Sequence, residues 1–170
     1  DGIERLLDDV NLELRYDEEG LQHMILNGTD VTDEIRTPEM SRVASLISAQ
    51  PAVRAFLLDL QRDLAKQYSV VMDGRDIGTV VLPRADVKIF LTASPEDRAR
   101  RRYEELRQRG QETDYDTVLR DVIQRDEHDT RRAAAPLRQA EDALLVDTTG
   151  NSLEKSLGVL LDTIKERLHA

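Results

Sequence analysis

Val87-Lys-Ile-Phe-Leu-Thr-Ala-Ser-Pro-Glu-Asp97 sets the fold of this chain. Val87 to Leu91 is an apolar run of strand length. Ser94-Pro-Glu-Asp97 then starts a helix, with a hydroxyl at the cap and proline at the first helical position. Upstream, Tyr68-Ser-Val-Val-Met72 is a similar run, ended by Asp73-Gly74, and it reads as a buried strand. Downstream, Ala143-Leu-Leu-Val146 is a third. Between the last two lie a helix from Pro95 to about Gly110 and another from Asp114, with Val118, Leu119, Val122 and Ile123 inward. A final helix, capped by Asn151 with Glu154, carries the stripe Leu153, Leu157, Leu160, Leu161, Ile164 and Leu168. Apolar strands alternating with helices predict an α/β fold, a parallel sheet covered on both faces.

Ahead of this core the periodicity changes. Gly2 to Asp9 has helical spacing. Asn11 to Tyr16 alternates, Asp17 to Gly20 is a turn, Leu21 to Leu26 is a second strand, and Asn27-Gly28 leads into a third over Thr29 to Ile35. Such an antiparallel sheet is too small to hold its own core, which makes it an insert on a larger body. Thr37-Pro38 opens a helix towards Ala49. Pro51 opens another, with Val53, Phe56, Leu57, Leu60 and Leu64 on one stripe.

The chain has 170 residues, 39% hydrophobic and 34% charged, the size of one domain. It has no cysteine, hence no disulfide framework, thiolate zinc site or cysteine nucleophile. No apolar run approaches the ~20 residues that span a bilayer, and no signal segment is visible, so a cytoplasmic address is expected, with no membrane partner. A net charge of −10 and the lack of aromatic stacking platforms argue against nucleic acid. Of 24 basic residues 20 are arginine, eleven of them between Arg98 and Arg138. Arginine is the planar, permanently charged partner of phosphate and carboxylate, so their positions matter more than the sum.

Open parallel sheets bind ligands beyond the carboxyl ends of their strands. After Met72 comes Asp73-Gly-Arg-Asp-Ile-Gly-Thr79, where Gly74 and Gly78 permit a sharp backbone path and Arg75 and two aspartates stand at the sheet's mouth. This reads either as a strand-ending turn with a solvated ion pair, or as an anion grip beside carboxylates that accept from a base, a sugar or metal-bound water. Arg98, Arg101 and Arg102 share a helix face at i, i+3 and i+4. They are either a solvated face or a lid, hinged over the polar stretch Arg107 to Asp114, that lowers arginine onto a transferring phosphoryl group. Arg125, Asp129 and Arg132, at i, i+4 and i+7, form either a surface ladder or a carboxylate between two phosphate donors, suited to a ribose and its phosphate. His128 lies on another face.

Four segments in order, Arg42-Val-Ala-Ser-Leu-Ile-Ser-Ala-Gln-Pro-Ala-Val-Arg54, Asp73-Gly-Arg-Asp-Ile-Gly-Thr-Val-Val-Leu-Pro83, Lys88-Ile-Phe-Leu-Thr-Ala-Ser94 and Arg125 through Pro136, resemble bacterial cytidylate kinase. The resemblance runs essentially end to end and includes the β insert at 11–36, which marks the long-type enzyme. It implies the nucleoside monophosphate kinase fold, divided into an insert region that binds the monophosphate (11–50) and a kinase core (51–170) with a lid at about 98–115. It also implies phosphoryl transfer from ATP, with Mg2+, to CMP or dCMP, by a monomer. Ser45, Arg54 and Asp76 would contact cytosine, Arg125 and Asp129 the pentose, and Arg75 and Arg132 the acceptor phosphate. Arg98, Arg101 and Arg102 would close over ATP as catalytic residues, and Asp73 would orient the metal through water. One departure stands out. The family's first strand and phosphate loop, G-x-x-x-x-G-K-[ST], do not occur in this sequence. The expectation is a chain truncated at its N-terminus and inactive alone; the alternative is a non-catalytic CMP-binding regulatory module.

Overall fold

The computed structural model describes residues 2–132 and 135–169. Two compact units divide between Val70 and Val71.

In the first unit, helix α1 (Gly2–Asp8) precedes a three-stranded antiparallel sheet of β1 (Leu12–Tyr16), β2 (Gln22–Leu26) and β3 (Thr29–Asp30). The register runs from Leu12 opposite Leu26 to Tyr16 opposite Gln22. Asn27 and Gly28 both have positive φ, 49° and 83°, the conformation a tight hairpin turn demands. The expected third strand, Thr29 to Ile35, stops at Asp30 because its carboxylate accepts from both the backbone N–H and the hydroxyl of Thr32, and the chain turns into a short 3-10 turn, Glu34–Arg36. Thr37 caps α2 (Pro38–Ile47), its hydroxyl accepting from Met40 N. Helix α3 (Pro51–Gln67) packs against α1 and buries Val53.

The second unit is α/β. Strands β4 (Ile89–Thr92) and β5 (Leu144–Asp147) pair in parallel, Ile89 opposite Leu144 and Thr92 opposite Asp147. Between them, α4 (Pro95–Gln108) and α5 (Tyr115–Arg131) pack around Ala99, Leu106 and Val118, with Tyr103 and Tyr115 edge to face. Their ends follow local chemistry. Ser94 and Asp114 cap the two N-termini. Gly110, at φ 73°, ends α4 while Gln111 N donates back to Leu106 O. The last helix is α6 (Leu153–Leu168).

Four expectations are corrected. Tyr68 to Met72 forms no strand: among the described residues nothing pairs with it, and Val71 is fully exposed. A strand is a pairwise object, and apolar composition alone does not supply the neighbour. Ile123 is exposed. Ser152, not Asn151, caps α6, accepting from Lys155 N. The stripe of α6 is not inward: Leu153, Leu157, Leu161 and Leu168 are exposed, since two paired strands offer little sheet to cover.

Candidate active site

The segment that follows Met72 is held by its own backbone hydrogen bonds. Asp76 O accepts from Val80 N (2.8 Å) and Val81 N (3.2 Å), and Leu82 N donates to Ile77 O (2.7 Å). The result is a single widened helical turn over Ile77–Val81, a form that recurs at functional sites. Neither glycine adopts a positive φ, contrary to the sharp path expected of them. Gly74 is a matter of space, because a Cβ there would lie 2.9 Å from Ile77 Cγ1. Gly78 lies along the stem of Lys88, with a Cβ position 3.5 Å from Lys88 Cδ.

Widening the turn presents Arg75 and Asp76 to the end of α5. Arg75 Nε donates to Asp129 Oδ2 at 2.7 Å, and Arg125 Nε lies 3.9 Å from the same oxygen. Arg132 Nη2 stands 3.7 Å from Asp76 Oδ1. Asp129, Arg132 and Asp76 are 7%, 11% and 12% exposed at their side chains. Three of the anticipated arginines and two aspartates thus meet, leaving one positive charge in excess. Arg132 reaches the cluster by a different route from the one expected. Helix α5 stops at Arg131, and Arg132 is its C-cap at φ −59°, ψ 139°, so it leaves the helical register. Its Nε donates to Ala135 O (2.6 Å). Its buried Nη2 has no hydrogen-bond partner among the described residues. A buried guanidinium donor left unmet is costly, and an anion's oxygen beside it would remove that cost. His128 is half-exposed on the neighbouring face.

The α4 arginines are engaged elsewhere. Arg98 grips Asp126 of α5 through both terminal nitrogens (2.8 and 2.5 Å), and its Nε donates to Ala93 O. The Asp126 carboxylate raises the Arg98 pKa above its ordinary value. Arg101 donates to Thr148 O (2.7 Å) at the end of β5 and forms an ion pair, not an aligned hydrogen bond, with Asp97. Arg102 pairs with Glu105 at 2.7 Å. Asp126, Thr148 and Lys88 were not among the residues read from sequence. For Asp126 a signal existed: three clustered guanidiniums require more carboxylate than Glu104 and Glu105 supply.

Two anticipated residues belong to the first unit. Arg54, on α3, donates from Nη1 to Ser48 O at 3.5 Å. Ser45 is on α2, and its side chain lies outside what is described. Asp73 is a single exposed carboxylate, and no three His, Asp or Glu side chains among the described residues converge as a metal site. These residues do not by themselves fit a resident magnesium ion.

Comparison with known proteins places this geometry in context. The family model for cytidylate kinase matches residues 1–166. A cytidylate kinase from Carboxydothermus hydrogenoformans is 52% identical over 163 residues, 96% of this chain and 73% of that protein. One from Syntrophotalea carbinolica is 47% identical over 159 residues, covering 93% and 68% of the two chains. One from Fervidobacterium nodosum is 47% identical over 165 residues, covering 97% and 73%.

Proposed function

The chain belongs to the cytidylate kinase family, a family of nucleoside monophosphate kinases, and we propose that it carries the acceptor-nucleotide site for phosphoryl transfer from ATP to CMP or dCMP. The observation that carries this reading is the buried arginine–aspartate cluster with an unmet donor on Arg132. Arg75 and Arg132 take the acceptor phosphate. Asp129, with Oδ2 committed to Arg75, offers Oδ1 to a pentose hydroxyl, and Arg125 flanks it. Asp76 is the cytosine contact of this cluster; Ser45 and Arg54, in the first unit, are assigned to cytosine by the family resemblance alone. In the attack, a phosphate oxygen of CMP displaces ADP at the γ-phosphorus of ATP, and the arginines hold that oxygen in line and offset its charge.

Arg98, Arg101 and Arg102 serve the donor phosphates from a lid at about 98–115, where those phosphates share or replace the protein acceptors that now hold them. Residues 11–50 act as the monophosphate-binding insert on a core of 51–170. Magnesium would be carried by ATP, and Asp73 would orient it only through water. The alternative reading is a non-catalytic CMP-binding regulatory module. Calorimetric titration with CMP, dCMP and UMP tests both. Saturable binding that favours cytidine nucleotides, weakened by Asp76→Ala, is expected, because a base-edge site that loses one partner leaves others unpaired. Absence of saturable CMP binding overturns both readings.

A further inference from the structure

Lys88, one residue ahead of β4, is almost fully buried, with 7% of its side chain exposed. Lysine is seldom buried without partners, and here all three ammonium donors are used: one to Pro83 O (2.5 Å), two to Asp142 Oδ1 and Oδ2 (2.8 and 2.7 Å). The pair holds the Asp142 carboxyl below its ordinary pKa. Asp142 is half-exposed, so an ion pair with it does not require a buried partner. What the burial achieves is the bond to Pro83, the last residue of the 73–83 segment.

The placement has a mechanical meaning. The front of that segment is tied to α5 by Arg75 with Asp129 and by Asp76 with Arg132. Its far end is tied to the sheet by Lys88, whose own carbonyl accepts from Leu144 N in the parallel pair. The lysine stem passes against Gly78, the second residue of the widened turn. Arg75 and Asp76 are therefore held between two anchors, and only one of them belongs to the nucleotide cluster.

We propose that Lys88 is a positioning residue of the acceptor site, acting through the Pro83 carbonyl and the 77–81 turn to hold Arg75 and Asp76 in place. This rests on the acceptor-site reading above, and the test keeps the two apart. Amide hydrogen exchange and CMP titration are measured on the full chain, on Lys88→Met and on Asp142→Ala. In the unaltered chain the amides of Val80, Val81 and Leu82 are expected to be protected comparably to those of β4. Lys88→Met keeps the stem and removes the donors. It is expected to speed exchange at those three amides at least about tenfold while α4 and α5 are unchanged, and to weaken CMP about tenfold. Asp142→Ala, where water replaces an exposed carboxylate and the Pro83 bond remains, is expected to stay within about twofold on both readouts.

Free exchange of the turn in the unaltered chain overturns the proposal, whether or not Lys88→Met folds. So does acceleration spread evenly over α4 and α5, which would make Lys88 a general stabiliser, or an equal effect of Asp142→Ala. Failure of the unaltered chain to bind CMP overturns the acceptor-site reading instead, and the exchange pattern still decides the role of Lys88.

Discussion

At the end of α5 two arginines stand side by side in opposite surroundings. Arg131 is 79% exposed and faces Glu127 at 3.9 Å, while Arg132 is folded into the cluster beneath. Arg132→Ala is expected to cost about 1.5–3 kcal/mol of CMP binding, the value of a hydrogen bond to a charged group. Arg131→Ala is expected to cost under about 1 kcal/mol, as for exposed ion pairs. Paired titrations check this, and equal losses would remove Arg132 from the acceptor site. Residue spacing placed Arg132 with Arg125 and Asp129 by an argument of helical phase, which its cap conformation does not obey; it comes instead to within 3.7 Å of Asp76. Chemical type was the dependable signal, because an arginine beside paired aspartates finds them through a turn as readily as along a helix. The glycines at 74 and 78 illustrate the converse: composition marked them, yet one is needed for room and neither for a left-handed backbone.

Elements carry their own predictions. In the antiparallel sheet, His23 on β2 lies between Asp30 (2.6 Å) and Asp17 (3.4 Å), with Arg15 directly opposite across the β1–β2 pair. Hydrogen bonds to Asp30 and then Asp17 raise the His23 pKa above 6.5. The Thr32 hydroxyl, Thr32 N–H and His23 lower Asp30 to about 2, and the Leu21 N–H is the leading cause that lowers Asp17. A raised histidine stabilises fully below its unfolded pKa and loses that effect as pH rises through the folded one; lowered carboxyls do the reverse on the acid side. The hairpin is therefore expected to be firmest between about pH 4 and 6.5. His23→Gln should be less stable than the parent at about pH 5 and match it by about pH 9, read from pH-dependent unfolding. A gap that persists unchanged at the higher pH would exclude the ionic pin.

In the α4–α5 pair, Ala99 is fully buried against Leu106 and Val118. Ala99→Leu should destabilise by about 1–3 kcal/mol through overpacking, measurable by denaturant unfolding. Helix starts were the most legible features in the sequence, because Thr37, Ser94 and Asp114 cap through bonds confined to neighbouring residues. The α6 cap slipped by one residue, where Asn151 and Ser152 are both competent. Burial of Ile123 and of the α6 stripe was not legible, since it depends on what else packs there.

On the scale of the whole chain, the arginine–aspartate cluster is assembled while the sequence contains no phosphate-loop motif to cradle a donor. The prediction is that the 170-residue polypeptide, given ATP, Mg2+ and CMP, shows no turnover at ordinary kinase rates of ~1–100 s⁻¹. A coupled assay at saturating nucleotide decides it, and turnover in that range would mean that the remaining arginines suffice. The parallel pair β4–β5 was legible because the two runs find each other, whereas the comparably apolar run at 68–72 has no described partner. That run also contains the division between the two units, with Tyr68 and Val71 bare of any ladder. To a protease, which must draw an extended backbone into its cleft, this is the natural first cut. Brief digestion with chymotrypsin should nick the chain at Tyr68 before any tyrosine of α4 or α5 is touched. The products of that cut would let nucleotide binding and refolding be weighed on either side of Tyr68 without a designed boundary.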